Sequence, residues 1–174
     1  AGLRSDLYSF LCEVAWDNDR GVFRETDNRA GGAQTIDLQT WAVLALGAEG
    51  PHGKRFSRAL EWCEEQLATE VLLPLGHGSA IPVRGMQFSR DTLHLIYVEG
   101  TLQLVAAYHV AGNPKSARHW MRQTESLRSR DGGGFYCVGA EHSQFLRHPA
   151  IAPTCWYRFN ESRPPLNPLS PGKP

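Results

Sequence analysis

Two stretches of this chain place acidic and aromatic side chains at the head of a run that then turns almost wholly apolar. The first is Thr35-Ile-Asp37-Leu-Gln39-Thr-Trp41-Ala-Val-Leu-Ala-Leu-Gly47, and the second is Tyr97-Val-Glu99-Gly-Thr101-Leu-Gln-Leu-Val-Ala-Ala-Tyr108. A helix that is apolar on most sides is a buried helix, whereas one that only borders a core shows a single apolar stripe. Buried helices with carboxylates at one end line a cavity, and two carboxylates in one cavity can divide proton donation and proton acceptance between them. Other uses compete with this one. Asp37 also suits a helix cap, and tryptophans at helical spacing are more often core residues. Glu99 falls inside the first turn of its segment, where capping is a poorer explanation.

Helical periodicity accounts for most of what lies between these openings. Leu3, Leu7, Phe10, Leu11 and Val14 recur at helical spacing, which predicts an amphipathic helix over 3–16. Residues 17–35, with Asn, Asp, Arg and Gly, read as a long loop. A second helix is expected over 37–46, stopped by Gly47 and the Gly50-Pro51 turn, and a third over 54–69 with Phe56, Leu60, Cys63 and Leu67 inward. Residues 70–92 hold Pro74, Gly76, Gly78, Pro82 and Gly85 and read as a long connection. A fourth helix over 97–111 is closed by Gly112-Asn113-Pro114. A fifth over 115–128 carries Ala117, Trp120, Met121, Thr124 and Leu127 inward. Asp131-Gly-Gly-Gly134 reads as a tight turn, and a sixth helix starts near Pro153 with Thr154, Trp156, Tyr157 and Phe159. The Pro-rich residues 164–174 cannot continue it.

Composition narrows the classes. At 174 residues the chain has room for one domain with a real core, here 1–163, and a tail, 164–174. Lys plus Arg equals Asp plus Glu at 18 each, with no block of like charge, which argues against nucleic acid and anionic membranes as partners. The longest apolar runs fall far short of the roughly 20 residues that span a bilayer. Cys12, Cys63, Cys137 and Cys155 form no CxxC pair, and the seven histidines show no HxxxH spacing, so no metal and no cofactor is expected. Free, buried thiols are expected instead. Asp131-Gly-Gly-Gly lacks the Lys-Ser/Thr and the helix of a phosphate loop, and the Asn160-Glu-Ser triplet lies at a helix end. Nothing in the chain fixes a compartment.

One-stripe and buried helices alternate along the chain: first outer, second buried, and so on to the sixth. That alternation is what an α/α toroid requires, and it predicts an all-α fold, a partial (α/α) toroid of about three helical hairpins with long loops. It also puts the heads of the inner helices at one mouth, where aligned helix dipoles favour ionised carboxylates. The segments DLQTWAVLAL, FSRDTLHLIYVEGTLQLVAAYHVAGN, DGGGFY and HPAIAPTCWYRF, followed by Asn167-Pro168, resemble in order the C-terminal half of the six-hairpin glycosidase-like superfamily. Tyr97 stands where that family usually has Trp and Pro153 where it usually has Ala, and the family's N-terminal hairpins have no counterpart here.

The resemblance implies a carbohydrate as substrate and a glycoside hydrolase-like reaction, with one carboxylic acid protonating the leaving oxygen and one carboxylate acting opposite it. On that analogy Glu99 is the general acid and Asp37 the base. Gln39, Trp41, Thr101, Tyr108 and Trp156 would bind the substrate, the aromatics among them by stacking. The alternative is a non-catalytic structural or interaction subunit derived from such a domain. Half a ring leaves apolar faces open, to be covered by a second copy, a different protein chain or a segment preceding Ala1. Terpene-cyclase and prenyltransferase toroids share the architecture but require a DxDD motif or a zinc set, and lanthionine-cyclase-like toroids require Cys and His ligands; this chain has neither.

Overall fold

The computed structural model describes residues 2–25, 34–47, 53–91, 94–128, 134–135, 137–139 and 149–162. Helix α1 (Gly2–Ser9) runs into a π-helical turn, Phe10–Ala15, and from there into a small antiparallel pair, β1 (Trp16–Asp17) with β2 (Val22–Phe23). Trp16 and Phe23 are buried and pack edge-on at 4.9 Å, with Phe56 completing the cluster. Where the sequence reads as a loop after residue 17, two apolar residues on either side of an Asp-Asn-Asp-Arg-Gly turn are enough to make a hairpin. Leu7, Phe10 and Val14 are not covered: they are 55%, 50% and 42% exposed.

α2 (Ile36–Leu46) and α3 (Gly53–Leu67) follow, the first buried on several sides and the second on one stripe of Phe56, Ala59, Leu60, Cys63 and Leu67. The chain then forms its longest ladder, β3 (Ala68–Gly76) against β4 (Ser79–Met86), in the register Val71↔Val83 and Leu73↔Ile81. His77 and Gly78 both take positive φ, 51° and 78°, as a tight hairpin turn of the primed type demands. Val71, Leu73 and Val83 point inward while Leu72, Pro82 and Arg84 point out. This period of two lies under the prolines and glycines that make the segment read as a connection. Pro74 and Pro82 are tolerated because a two-stranded ladder consists only of edges.

β5 (Leu95–Tyr97) leads without a break into α4 (Val98–Val110), and α5 (Pro114–Thr124) with a 3₁₀ turn, Glu125–Leu127, packs back on it. Asn113 caps α5, its side chain accepting from the Ser116 N–H at 3.1 Å. β6 (Gly134–Phe135) pairs with β8 (Pro149–Ala150), and β7 (Cys137–Gly139) pairs with β5. α6 (Ile151–Glu161) closes the described chain. α4 is buried at Val98 and at every position from Gly100 to Tyr108, and it contacts α2, α5 and α6. The core is built around it.

This is a mixed α/β fold: 60% of the described residues are helical and 25% lie in strands. The expected all-α toroid of helical hairpins is therefore incorrect, and so are the all-alpha and toroid descriptions that go with it. The helices fall close to their expected limits, and the error lies in the connections, which pair as antiparallel strands. Of the cysteines, Cys12, Cys63 and Cys137 are buried but Cys155 is exposed, and none of the four is joined in a disulfide. Among the described residues no helix is long and apolar enough to cross a membrane. The Asp131-Gly-Gly turn and the tail 164–174 lie outside the described residues.

Gly100 sets how closely α2 and α4 approach. A Cβ there would sit 2.6 Å from Ile36 Cγ2 and 2.7 Å from the Tyr97 ring. Gly100→Ala is expected to destabilise the fold by about 1–3 kcal/mol through overpacking, read from the urea midpoint; an unchanged midpoint would show that the helices have slack at this crossing.

Candidate functional site

Thr35, in extended backbone at φ −90° and ψ 154°, caps α2, its hydroxyl accepting from the Leu38 N–H at 3.4 Å. Asp37 is thus not the cap. It sits one position into the first turn, on the same face as Thr40 and Trp41 at the i+3 and i+4 positions. On α4, Glu99 is likewise in the first turn, and Gln103 is its i+4 neighbour. The crossing at Gly100 brings these two faces together. The Gln103 amide nitrogen donates to Glu99 Oε1 at 3.2 Å, and the Thr40 hydroxyl meets Gln103 Oε1 at 3.0 Å. Asp37 is hydrogen bonded by Tyr97 and Gln103. Its Oδ1 is buried and has no partner among the described residues.

The electrostatics of the pair run against the helix dipole. A carboxylate in the first turn is ordinarily stabilised as the anion, which is the expectation from the sequence. Burial, followed by the charge of Glu99, instead raises the Asp37 carboxyl to about 6, against the opposing hydrogen bonds from Tyr97 and Gln103. Burial and the neighbouring charge thus give Asp37 a physical reason to hold a proton near neutrality. Asp17 is the contrast. Burial there is outweighed by the backbone of Arg20 and the guanidinium of Arg24, 3.2 Å away, and its carboxyl is lowered.

The other residues singled out from the sequence are placed as follows. Trp41 is 43% exposed, one helical turn from Asp37, and its ring meets that of Trp156 edge-on at 6.0 Å. Trp156 is buried, and behind it lies Phe159 at 5.6 Å. Gln39 is fully buried and turned away toward β2, its amide donating to Phe23 O at 2.9 Å and its oxygen accepting from Phe23 N–H at 2.8 Å. In effect it pairs with β2 as another strand would. Thr101 is buried too, accepting from Met86 N–H and donating to Tyr97 O, both at 2.9 Å, and so ties α4 to β4. Thr154 donates to Ala150 O and accepts from Gly134 N–H.

Tyr108 lies nine residues along α4 from Glu99, about 13 Å by helix rise. Its hydroxyl belongs to a separate network. Burial and the Glu64 carboxylate, which also accepts from Trp120 Nε1 at 2.6 Å, push its phenol well above the ordinary range. The sequence reading thus assembles Asp37, Glu99 and Trp41 on adjoining helix faces, with Trp156 against Trp41, and the structure leaves Gln39, Thr101 and Tyr108 in the framework. It passes over Gln103, Thr40 and Tyr97. The spacing Glu99-x-x-x-Gln103 was the available signal, hidden inside an apolar run.

The raised carboxyl has a consequence for stability. Asp37 has a folded value of about 6 against roughly 4 when unfolded, so the native state is favoured while the group is protonated. The contribution is complete below about pH 4 and is lost as pH rises through about 6. Wild type should accordingly lose stability between pH 4.5 and 7.5 relative to Asp37→Asn, which keeps the neutral form at every pH, and Asp37→Asn should be the more stable at pH 7.5. Urea midpoints at the two pH values check this; parallel changes in both proteins would contradict it.

No family model, no curated protein and no solved structure matches this chain.

Proposed function

We propose that Asp37 and Glu99 form an acid–base pair that hydrolyses a glycosidic linkage, with Asp37 as the proton donor. The roles are thereby exchanged relative to those expected from the sequence. The observation that carries the reading is a carboxyl raised to about 6, paired with a second carboxylate and one helical turn from an exposed tryptophan face. A proton donor works best with a value near the operating pH, and the face of Trp41 suits the apolar side of a sugar ring. The likeness of the Asp37–Trp41 and Glu99–Gln103 motifs to glycosidase-like proteins supplies the substrate class; the toroid is no part of the reading.

In the retaining form of the reaction the second carboxylate attacks the sugar directly. Glu99 would bond to the anomeric carbon as the leaving oxygen departs with the Asp37 proton. Water then displaces Glu99 and returns a proton to Asp37. Assay of a panel of α- and β-linked glycosides should show turnover with kcat/KM falling above pH 6 or so, and retention of anomeric configuration by ¹H NMR. Asp37→Asn and Glu99→Gln should each lose about 10²- to 10⁴-fold in kcat. Absence of turnover across the panel, or full activity in either variant, would overturn the reading.

A second reading, a non-catalytic subunit, is favoured by one observation: Leu7, Phe10 and Val14 form an exposed apolar stripe along α1 and its π turn. Such stripes mark contact surfaces. Light scattering on the purified protein distinguishes the two. This reading expects an assembly larger than the 19.4 kDa chain that dissociates on Phe10→Glu, and a monomer contradicts it.

A further inference from the structure

The β3–β4 ladder has two unlike faces. Val71, Leu73 and Val83 are buried on one, while the other carries three rungs in register, Glu70↔Arg84, Leu72↔Pro82 and Pro74↔Ala80, all of them exposed. Leu72 is 66% exposed, more than any residue of the stripe on α1. Two apolar rungs beside one charged rung have the make-up of a contact surface, apolar within and polar at the rim. Glu70 and Arg84 stand directly opposite each other, yet neither enters an ion pair among the described residues. A further strand is a poor occupant. Proline is accepted in a ladder where its nitrogen faces the outer edge, so Pro74 in β3 and Pro82 in β4 each leave an edge one donor short of what an added strand needs. What the hairpin offers a partner is its face.

We propose that this face is the contact between two copies of the chain, packed face to face about a two-fold axis parallel to the strands. Such an axis sets β3 of one copy over β4 of the other. Residues opposite each other within one hairpin then meet across the axis, so Glu70 faces the partner's Arg84, Arg84 faces the partner's Glu70, and the apolar rungs cover one another. A two-fold axis running across the strands would instead lay Glu70 over the partner's Pro74 and Arg84 over the partner's Ala80, setting charge on apolar surface at a cost in desolvation. The face is thus self-complementary in the first arrangement and not in the second, and charge decides between them. Sheets packed in this way lie about 10 Å apart with their strands aligned within about 30°. Three rungs make a small contact, at the low end of specific interfaces, so the dimer is weak and dissociates on dilution. The carboxylates of α2 and α4 take no part, and the proposal stands whether or not the protein cleaves a glycoside.

The test is sedimentation equilibrium of the full chain from about 10 µM to 1 mM. Wild type should rise from 19.4 kDa toward twice that mass as concentration increases. Leu72→Glu should raise the dissociation constant by about tenfold or more. Glu70→Arg and Arg84→Glu, each of which sets like charges opposite across the axis, should raise it by about three- to tenfold, and the two together should restore it. Phe10→Glu should leave it unchanged. Because the charge swaps also act within one hairpin, urea midpoints of the dilute monomers are read beside them, and the loss of association should exceed any loss of stability. Should Leu72→Glu fail to fold, Leu72→Ser takes its place. A wild type that stays monomeric over the whole range would overturn the proposal. So would an association indifferent to Leu72→Glu, or one abolished by Phe10→Glu, which would assign the contact to α1. A double swap that fails to restore association would exclude the two-fold arrangement and overturn it equally.

Discussion

The close approach of α2 to α4 at Gly100 is the constraint on which the rest of the described site depends. With no Cβ at that position, Ile36 and the Tyr97 ring fill the space where a side chain would have stood. The approach is short enough for one glutamine on α4 to bond a carboxylate on each helix and a hydroxyl on α2. The strands hold the two helix ends in place. Ile36 N–H bonds Phe88 O at 2.9 Å just beyond β4, and α4 emerges directly from β5, which β7 pairs. Gln39 fastens the other side of α2 to β2, and Thr101 fastens α4 to β4. Each helix is thus anchored through a polar side chain to a strand, and the carboxylates at their heads have little freedom to move apart.

Such a geometry determines the electrostatics. Carboxylates in first turns are usually content as anions, and Asp17 shows how this chain stabilises one when a guanidinium is at hand. Asp37 is treated differently. It is half-buried and set near a second carboxylate, and the donors it meets among the described residues are neutral, a phenol and an amide. Neutral donors offset part of the desolvation and repulsion but not all of it, so the balance falls toward a retained proton. The same logic explains the distant Glu64, which is satisfied by an indole N–H and lies beside Tyr108, whose phenol is consequently held protonated.

Much of the helical skeleton is legible in the sequence because each helix carries its own punctuation. Thr35 and Gly47 bound α2, Gly112 ends α4, and Asn113-Pro114 opens α5, while the contrast between α4, apolar all round, and α3, apolar on one stripe, reads directly from residue types. The strands are hidden for physical reasons. In β3 and β4 the alternation of Val71, Leu73 and Val83 with outward residues is interrupted by Pro74, Pro82 and Gly85, each of which signals a loop when read locally and each of which a two-stranded ladder accepts. Inferring a toroid from alternating helix character was the resulting error, since alternation describes burial and says nothing of what joins the helices. At the site, Asp37 and Glu99 are conspicuous as charges entering apolar runs. Gln103 is not, because an amide among leucines reads as an interruption, and its partner Thr40 lies sixty-three positions away on another helix.

The measurement that bears most directly on this account is the ¹³C titration of the Asp37 side-chain carboxyl in the unaltered protein. The account requires a midpoint near 6, raised by burial and by the facing Glu99. A midpoint near the ordinary aspartate value of about 4 would mean that the pair is open to water or that the two helix heads stand apart, and the account of the site would fail with it.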